Sequence, residues 1–465
     1  MFCGSCTRAI TKVLRANLLL FTFALILGWS ALRFGGVLAE DWNYALLALG
    51  ILLVLCYLPL DSGALAAPPD WSLYLCVAAL PLLAALQLIP LPLSLLHLVS
   101  PSREAITRAI LPFDGTVLSA PLSLRPAATR LEVFHLIGYA AAFLVARDLM
   151  WRFPRGQWRV AAPLLVVAAM EAGLGLIQDT LNANNVFPSG TFVNRDHFSS
   201  LLEMTLPFAA GGMVEYWSRT FRRPLLACTL AAGGAVLLAA IAVALSRSGF
   251  LIALGSLAVL GVIQAKRRFR GFRRVVGLAT GGVALVGAII VLATPQLLGR
   301  FADFGGIAGM GQESRWRFWR EAWQVVLAFP LTGCGFGAFV SCIAPYRYTA
   351  PTRTLDYAHN APLHLAAEGG VVVLGVAVAG VLLLWRRLNQ AWPSGARRAE
   401  LPLACALSLL AGLGHSLVDF NLSIPACALA FSWVAGMTAG LRFSPPVPTH
   451  RPLALTREVL DQFRR

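Results

Sequence analysis

Twelve apolar runs, most of them about as long as a bilayer core is thick, govern what this chain can fold into. They cover residues 16–34, 44–60, 72–97, 131–150, 158–178, 197–217, 224–245, 248–264, 275–293, 361–385, 400–418 and 422–441. About 20 apolar residues in a helix cross the hydrocarbon layer, and only a helix or a closed barrel satisfies its own backbone there. The expectation is an all-α polytopic membrane protein with about 12 transmembrane helices. Composition agrees: 58% of residues are hydrophobic and 13% charged, against roughly 25% charged in soluble domains. That excludes an ordinary soluble enzyme and a disordered chain. Pro81, Pro90 and Pro92 fall in the third run, which should therefore bend or end at the interface. The first run lacks a small-residue cleavage site and reads as a retained span.

The net charge of +16 comes from 38 Lys and Arg against 22 Asp and Glu. These cations sit in short separate loops rather than on one face, so the basicity reflects the positive-inside rule and not nucleic-acid binding. Clusters at Arg8, Lys12 and Arg15, at Arg152, Arg155 and Arg159, at Arg219, Arg222 and Arg223, at Lys266 to Arg274, and at Arg386 to Arg398 all fall on one side when the spans alternate. That side reads as cytoplasmic, with both termini inside. The opposite side then carries the loops 98–130, 179–196 and 419–421, and one long loop, 294–360, between the ninth and tenth spans. The chain divides into N-terminal membrane helices at 1–178, a second membrane region at 179–441 that includes the long loop, and a cytoplasmic tail at 442–465. Within the long loop, the spacing of Trp316, Phe318, Trp319, Trp323 and Val326 predicts an amphipathic helix over Ser314 to Phe329. Cys334 and Cys342 share that loop, and a disulfide between them is an open alternative. Cys3 and Cys6 have no partners that would complete a zinc site.

Charged and polar residues at the ends of apolar runs are costly, so each one asks for an explanation. Asn194, Arg195 and Asp196 precede the sixth run; they read either as a substrate-facing loop or as a helix cap. Arg247 lies between two long apolar runs on the side where basic residues are scarce. It is either functional or a snorkelling interface residue. Arg315 and Trp319 are four apart and share a helix face, and a guanidinium there offers a planar fork to a phosphate. Gly333, Gly335 and Gly337 have no preceding strand and read as a turn rather than a nucleotide loop. His359 and Asn360 sit at the mouth of the tenth run, where a histidine can act as a base or bind a phosphate oxygen. Glu368 lies about two turns further in and must face the bundle or a water cavity. His415 and Asp419 are also four apart and read as a buried polar pair. No Walker A loop, H-E-x-x-H, D-x-D or G-x-S-x-G is present, and neither a metal nor another cofactor is expected. Three arginines and a histidine at one rim suit an anionic, membrane-resident substrate.

The segments GTFVNRDHF at 190–198, SRSG at 246–249, ESRWRFWREA at 313–322, PLTGCGFGAF at 330–339, AHNAPLHLAAEGG at 358–370 and HSLVDFNLSIPA at 415–426 resemble, in kind and order, those of the O-antigen ligase and O-antigen polymerase family of bacterial inner membranes. The resemblance implies a fold like that of C-type glycosyltransferases, with the active site at the periplasmic face. It implies a glycan donor on undecaprenyl pyrophosphate. The acceptor would be the lipid A core in a ligase or another lipid-linked glycan in a polymerase. The family's H-N-x9-G pattern maps onto His359, Asn360 and Gly370, with Val373 where the family often has glycine or an aromatic residue. The family's two essential arginines would be Arg247 and Arg315. His359, Arg315 and Arg247 are thus the expected catalytic residues, and Arg195, Asn194, Asn360, Glu368 and Trp319 the expected substrate-binding ones. The competing class is a transporter of a lipid-linked or anionic solute. It would place its site near the midplane with repeat symmetry, whereas these polar residues gather at one rim and no repeat is evident.

Overall fold

The structure, a computed structural model, describes residues 4–58, 67–110, 118–153, 156–181, 187–217, 223–268, 309–348, 355–391 and 399–441. The expected span at 275–293, the start of the long loop and the tail at 442–465 lie outside the described residues. So do Arg155, Arg219 and Arg222, and the side chains of Cys3, Cys6, Arg8 and Lys12.

The described chain is almost entirely helical. In order come α1 (Gly4–Leu32), α2 (Ala39–Tyr57), α3 (Trp71–Leu86), β1 (Pro90–Pro92), α4 (Leu93–Val99), α5 (Pro101–Ile110), β2 (Ser119–Pro121) and α6 (Pro126–Arg152). Then follow a 3-10 turn (Gln157–Ala161), α7 (Ala162–Thr180), α8 (Arg195–Trp217), α9 (Pro224–Val243) and α10 (Arg247–Arg268). The last group is α11 (Gly309–Ala328), α12 (Phe339–Cys342), α13 (Ala361–Ala391), α14 (Glu400–Ser416) and α15 (Pro425–Ala439). Each apolar run within the described residues lies on one of these helices except the third, which is divided among α3, β1 and α4. Among the described residues, seven helices are long and apolar enough to cross a membrane, and Trp71–Leu86 and Pro425–Ala439 are shorter apolar helices. The structure thus carries an all-α membrane fold.

Local chemistry sets the boundaries. Proline occupies the first turn of α6, α7, α9 and α15, where its missing N–H costs nothing. The third apolar run breaks as its prolines require: α3 stops at Leu86, and Pro90–Pro92 pairs antiparallel with Ser119–Pro121. The closest helix contact is between α15 and α6. A Cβ added to Gly436 would lie 2.2 Å from the Phe143 carbonyl oxygen, and one on Gly440 would lie 2.4 Å from that of Arg147. Two glycines four apart let the backbones touch, which is how helices associate where lipid supplies no hydrophobic drive.

Contacts sort the helix ends onto two rims. At one, the Thr191 hydroxyl donates to Ala31 O (2.7 Å), Ala426 N donates to Gly35 O (3.0 Å), and Asn360 Nδ2 donates to Leu417 O (3.0 Å). At the other, Arg15 donates to Leu55 O (2.6 Å) and Leu58 O (2.7 Å), Arg152 to Cys56 O (3.1 Å), and Arg267 to Glu400 (2.9 Å). Arg387 also pairs there with Asp70, which caps α3. Arg15, Arg152, Arg267 and Arg387 therefore share one rim, opposite the one bearing His359.

α13 is broken. Gly370 adopts φ 69° and ψ −174° inside it, a conformation open in practice only to glycine. The break frees carbonyls, and the Gly333–Gly337 loop supplies donors: Cys334 N donates to Ala367 O (2.9 Å) and Gly335 N to Glu368 O (3.0 Å). In return, Val371 N donates to Pro330 O (2.8 Å). Gln87 locks the joint from a third direction. Its Nε2 donates to Thr332 O (2.7 Å) and Glu368 O (2.9 Å), while its Oε1 accepts from Phe336 N (3.0 Å). The three glycines all have positive φ, so the turn expected from their spacing is a backbone clasp on α13.

Candidate functional site

The site is built at the rim where α8, α10, α13 and α14 begin or end. Two of these helices start on an asparagine. Asn194 Oδ1 accepts from Asp196 N (2.9 Å), and Asn360 Oδ1 accepts from Leu363 N (2.9 Å). Such caps satisfy backbone donors that the first turn leaves open, worth about 1 kcal/mol each. α10 starts at Ser246, whose Oγ accepts from Gly249 N (3.3 Å). Asn194, expected to bind substrate, thus serves as a helix cap. Asn360 both caps α13 and ties it to the turn after α14.

The loop before α8 is held from behind. Glu171 of α7 accepts from Thr191 N (2.9 Å) and from the Thr191 hydroxyl (2.8 Å), and Gln178, two turns along the same helix, bonds Gly190 O and Ser189 N. This fixes Arg195, whose guanidinium carbon sits 4.1 Å from the centre of the Phe187 ring. Arg195 Nη1 is buried and makes no hydrogen bond among the described residues.

Three histidines converge on one carboxylate. Asp419 Oδ1 lies 3.4 Å from His359 Nδ1; Asp419 Oδ2 lies 3.5 Å from His197 Nε2 and 3.9 Å from His415 Nε2. His415 Nδ1 is 2.8 Å from Glu203 Oε1, and His415 Nε2 is 3.2 Å from Ser248 Oγ. His197, His415, Glu203 and Asp419 are buried, while the His359 side chain is 31% exposed. Only His359 of these five opens outward. Burial alone would raise the Asp419 carboxyl, but the hydrogen bond with His359 and the nearby His197 and His415 outweigh it and hold it below the usual carboxylate value.

Aromatic rings frame His359. The Phe318 ring lies 6.4 Å from it, roughly parallel, and Phe420 meets it edge-on at 5.0 Å. Tyr357 stacks on Phe420 at 4.1 Å; burial pushes the Tyr357 hydroxyl up to about 12. Trp319 Nε1 donates to His359 O (3.2 Å), so α11 docks directly on the histidine. His359 itself has φ 49°, a left-handed conformation that costs a non-glycine residue about 1–2 kcal/mol. Such strain persists only where the surroundings fix it.

Trp319 therefore touches His359, and Arg315 lies one turn earlier on the same face of α11. Arg247 adjoins the cluster through its neighbour Ser248. Glu368 is one step removed. It accepts from Phe339 N (3.1 Å) and pairs with His364 (3.5 Å), whose ring meets Tyr357. Among the described residues, no group of three or more His, Cys, Asp or Glu side chains is placed to hold a metal ion. None of His197, Glu203, His415 and Asp419 was among the site residues expected from the sequence, where His415 and Asp419 read only as a buried polar pair. The signal for Glu203 was a carboxylate in an apolar run with no cation nearby in sequence. Its partner is 212 positions away.

Residues 232–378 match the family model described as O-antigen ligase. That stretch, about a third of the chain, is similar to the O-antigen ligase family. A comparison with curated proteins finds no match. The matched stretch contains Arg247, Ser248, Arg315, Trp319, His359, Asn360 and Glu368. Asn194, Arg195, His197, Glu203, His415 and Asp419 come from helices and turns on either side of it. The match alone thus supplies half of the cluster, and the fold brings in the rest.

Proposed function

We propose that this protein is a glycosyltransferase that moves a glycan from undecaprenyl pyrophosphate to the lipid A core, at the periplasmic face of the bacterial inner membrane. The observation that carries the reading is the convergence of His359 with Asp419, beside α10 and α11, the helices that bear Arg247 and Arg315. The positive-inside rule supports the orientation: the rim bearing Arg15, Arg152, Arg267 and Arg387 faces the cytoplasm, with both termini, and the His359 rim faces the periplasm. A site at one rim favours an enzyme over a transporter, whose site lies near the midplane.

The geometry suits a direct displacement. With Asp419 facing Nδ1, the neutral imidazole of His359 carries its proton on Nδ1 and presents Nε2 as a base. Nε2 accepts the proton of the acceptor hydroxyl as that oxygen bonds to the anomeric carbon and the carbon–oxygen bond to the pyrophosphate breaks. Attack from the opposite face inverts the anomeric centre. Arg247 and Arg315 take up the charge that grows on the departing pyrophosphate, and Arg195 adds a third cation. Pyrophosphate is already a good leaving group, so the reaction draws on these arginines and calls for no metal. Trp319, Phe318 and Phe420 offer flat faces beside His359 for a sugar.

The test is a glycolipid gel from a strain lacking the chain, with wild type, Arg315→Ala or His359→Ala restored. A ligase predicts bare lipid A core in the deletion, accumulated lipid-linked glycan, and rescue by wild type alone. Core carrying a single repeat would instead identify a polymerase that joins lipid-linked repeats. Unchanged surface glycan in the deletion, or full rescue by both variants, would overturn the reading.

A further inference from the structure

The second rim holds a cleft that the chemistry above does not use. α1, the end of α6 and the 3-10 turn before α7 enclose about 470 Å³, within the range of pockets that hold small ligands. Its inner wall is apolar, formed by Ala16, Leu20 and Leu149; its mouth carries Asn17, Arg152 and Arg159. Val13–Leu32 is one of the membrane-crossing segments, so the cleft opens where that segment enters the bilayer. Arg152 is held in place by Asp148 and by Cys56 O (3.1 Å). Arg159 is exposed, and its guanidinium makes no hydrogen bond or ion pair with another described residue. None of the residues lining the cleft is acidic. Asp148, the nearby carboxylate, is already paired.

We propose that this cleft binds an acidic phospholipid, with its phosphate between Arg152 and Arg159 and an acyl chain along Ala16 and Leu20. The exposed Arg159 fork matches a phosphate diester, with Arg152, already tied to Asp148 and Cys56 O, as a second and weaker contact, and basic pockets between membrane helices are where anionic head groups dock. A free phosphate would leave the apolar wall bare to lipid. A zwitterionic lipid would bring its own cation to a mouth that already has two. The proposal concerns the rim opposite His359 and does not rest on the reaction proposed there.

The full chain in nanodiscs of equal parts phosphatidylcholine and phosphatidylglycerol, released for native mass spectrometry, provides the test. Wild type should retain phosphatidylglycerol in preference to phosphatidylcholine. Arg159→Glu should cut that retention about tenfold, the loss of roughly one strong charged contact. Asn17→Trp, made at an exposed position, should fill the mouth and remove the retained lipid whatever its head group. Arg386→Glu, at an exposed position beside Arg387 on the same rim and outside the cleft lining, makes the same charge change and should keep the wild-type preference. Equal retention of the two lipids by wild type would overturn the proposal. So would an Arg386→Glu loss as large as that of Arg159→Glu, which would mean a diffuse basic rim and not a site.

Discussion

Gly370→Ala is the sharpest test of how the His359 rim is held. At φ 69° and ψ −174°, an alanine carries a backbone strain of about 1–3 kcal/mol. Space is the second cost. The new Cβ would lie 2.2 Å from the Leu331 carbonyl oxygen and 2.7 Å from Gly333 N. Relief requires the 330–335 loop to back away, which stretches the three hydrogen bonds joining it to Ala367, Glu368 and Val371. Losing two of those at about 1 kcal/mol each brings the total to about 3–5 kcal/mol, a large share of a typical stability of roughly 5–15 kcal/mol. The control lies on the same helix: a Cβ at Gly375 meets nothing within 4 Å, so Gly375→Ala should be neutral or stabilising by up to about 1 kcal/mol. Unfolding in mixed micelles, followed by tryptophan fluorescence, reads both, since Trp316, Trp319 and Trp323 all lie on α11. If the two variants agree within about 0.5 kcal/mol, the clasp is not what fixes the break.

Three further outcomes are expected. Asp419→Asn should lower the melting midpoint by an amount that persists as pH falls from about 8 to 5. A carboxyl held below its ordinary value stabilises above that value, about 3.9, and loses the contribution only as pH falls through its lower folded value; a gap that closes between pH 8 and 6 would show that the carboxylate is not the group responsible. Glu171→Ala strips Thr191 N of its acceptor and leaves the Thr191 hydroxyl with Ala31 O alone, costs about 1–3 kcal/mol, and should speed tryptic cleavage after Arg195; an unchanged digest would mean the loop is held elsewhere. Arg315→Lys keeps the charge but loses the fork, so glycan transfer should fall about tenfold, and full activity would show that a point charge suffices.

Much of the fold was legible because hydropathy is a local signal. Each described apolar run became a helix except the third, which breaks at Pro90 and Pro92 into α3, a short strand and α4. The helix over Ser314 to Phe329 was also readable, since its aromatic spacing is set within a few turns. The site was legible only in pieces. His359, Asn360 and Arg315 declared themselves by breaking apolar patterns at helix mouths. That Asn194 caps a helix was open in the sequence and is decided by its bond to Asp196; the cap that Asn360 forms with Leu363 was not foreseen. What no local pattern carries is the pairing across the bundle. Glu203 meets His415 and His197 meets Asp419 at separations of over two hundred residues, and Gln87, a single amide in an apolar run, reaches Thr332 and Glu368 from a similar distance.

The clasp at Gly370 has a bearing on how such a protein can diversify. Three of its ties run from one main chain to another, and Gln87 adds contacts to backbone groups alone. Main-chain atoms are the same in every residue, so this hinge ignores what the neighbouring side chains are, provided the glycines stay. On the proposed function, the residues that would face a glycan can then be exchanged one by one while the scaffold holding the histidine keeps its shape. A new sugar would require new walls but no new frame.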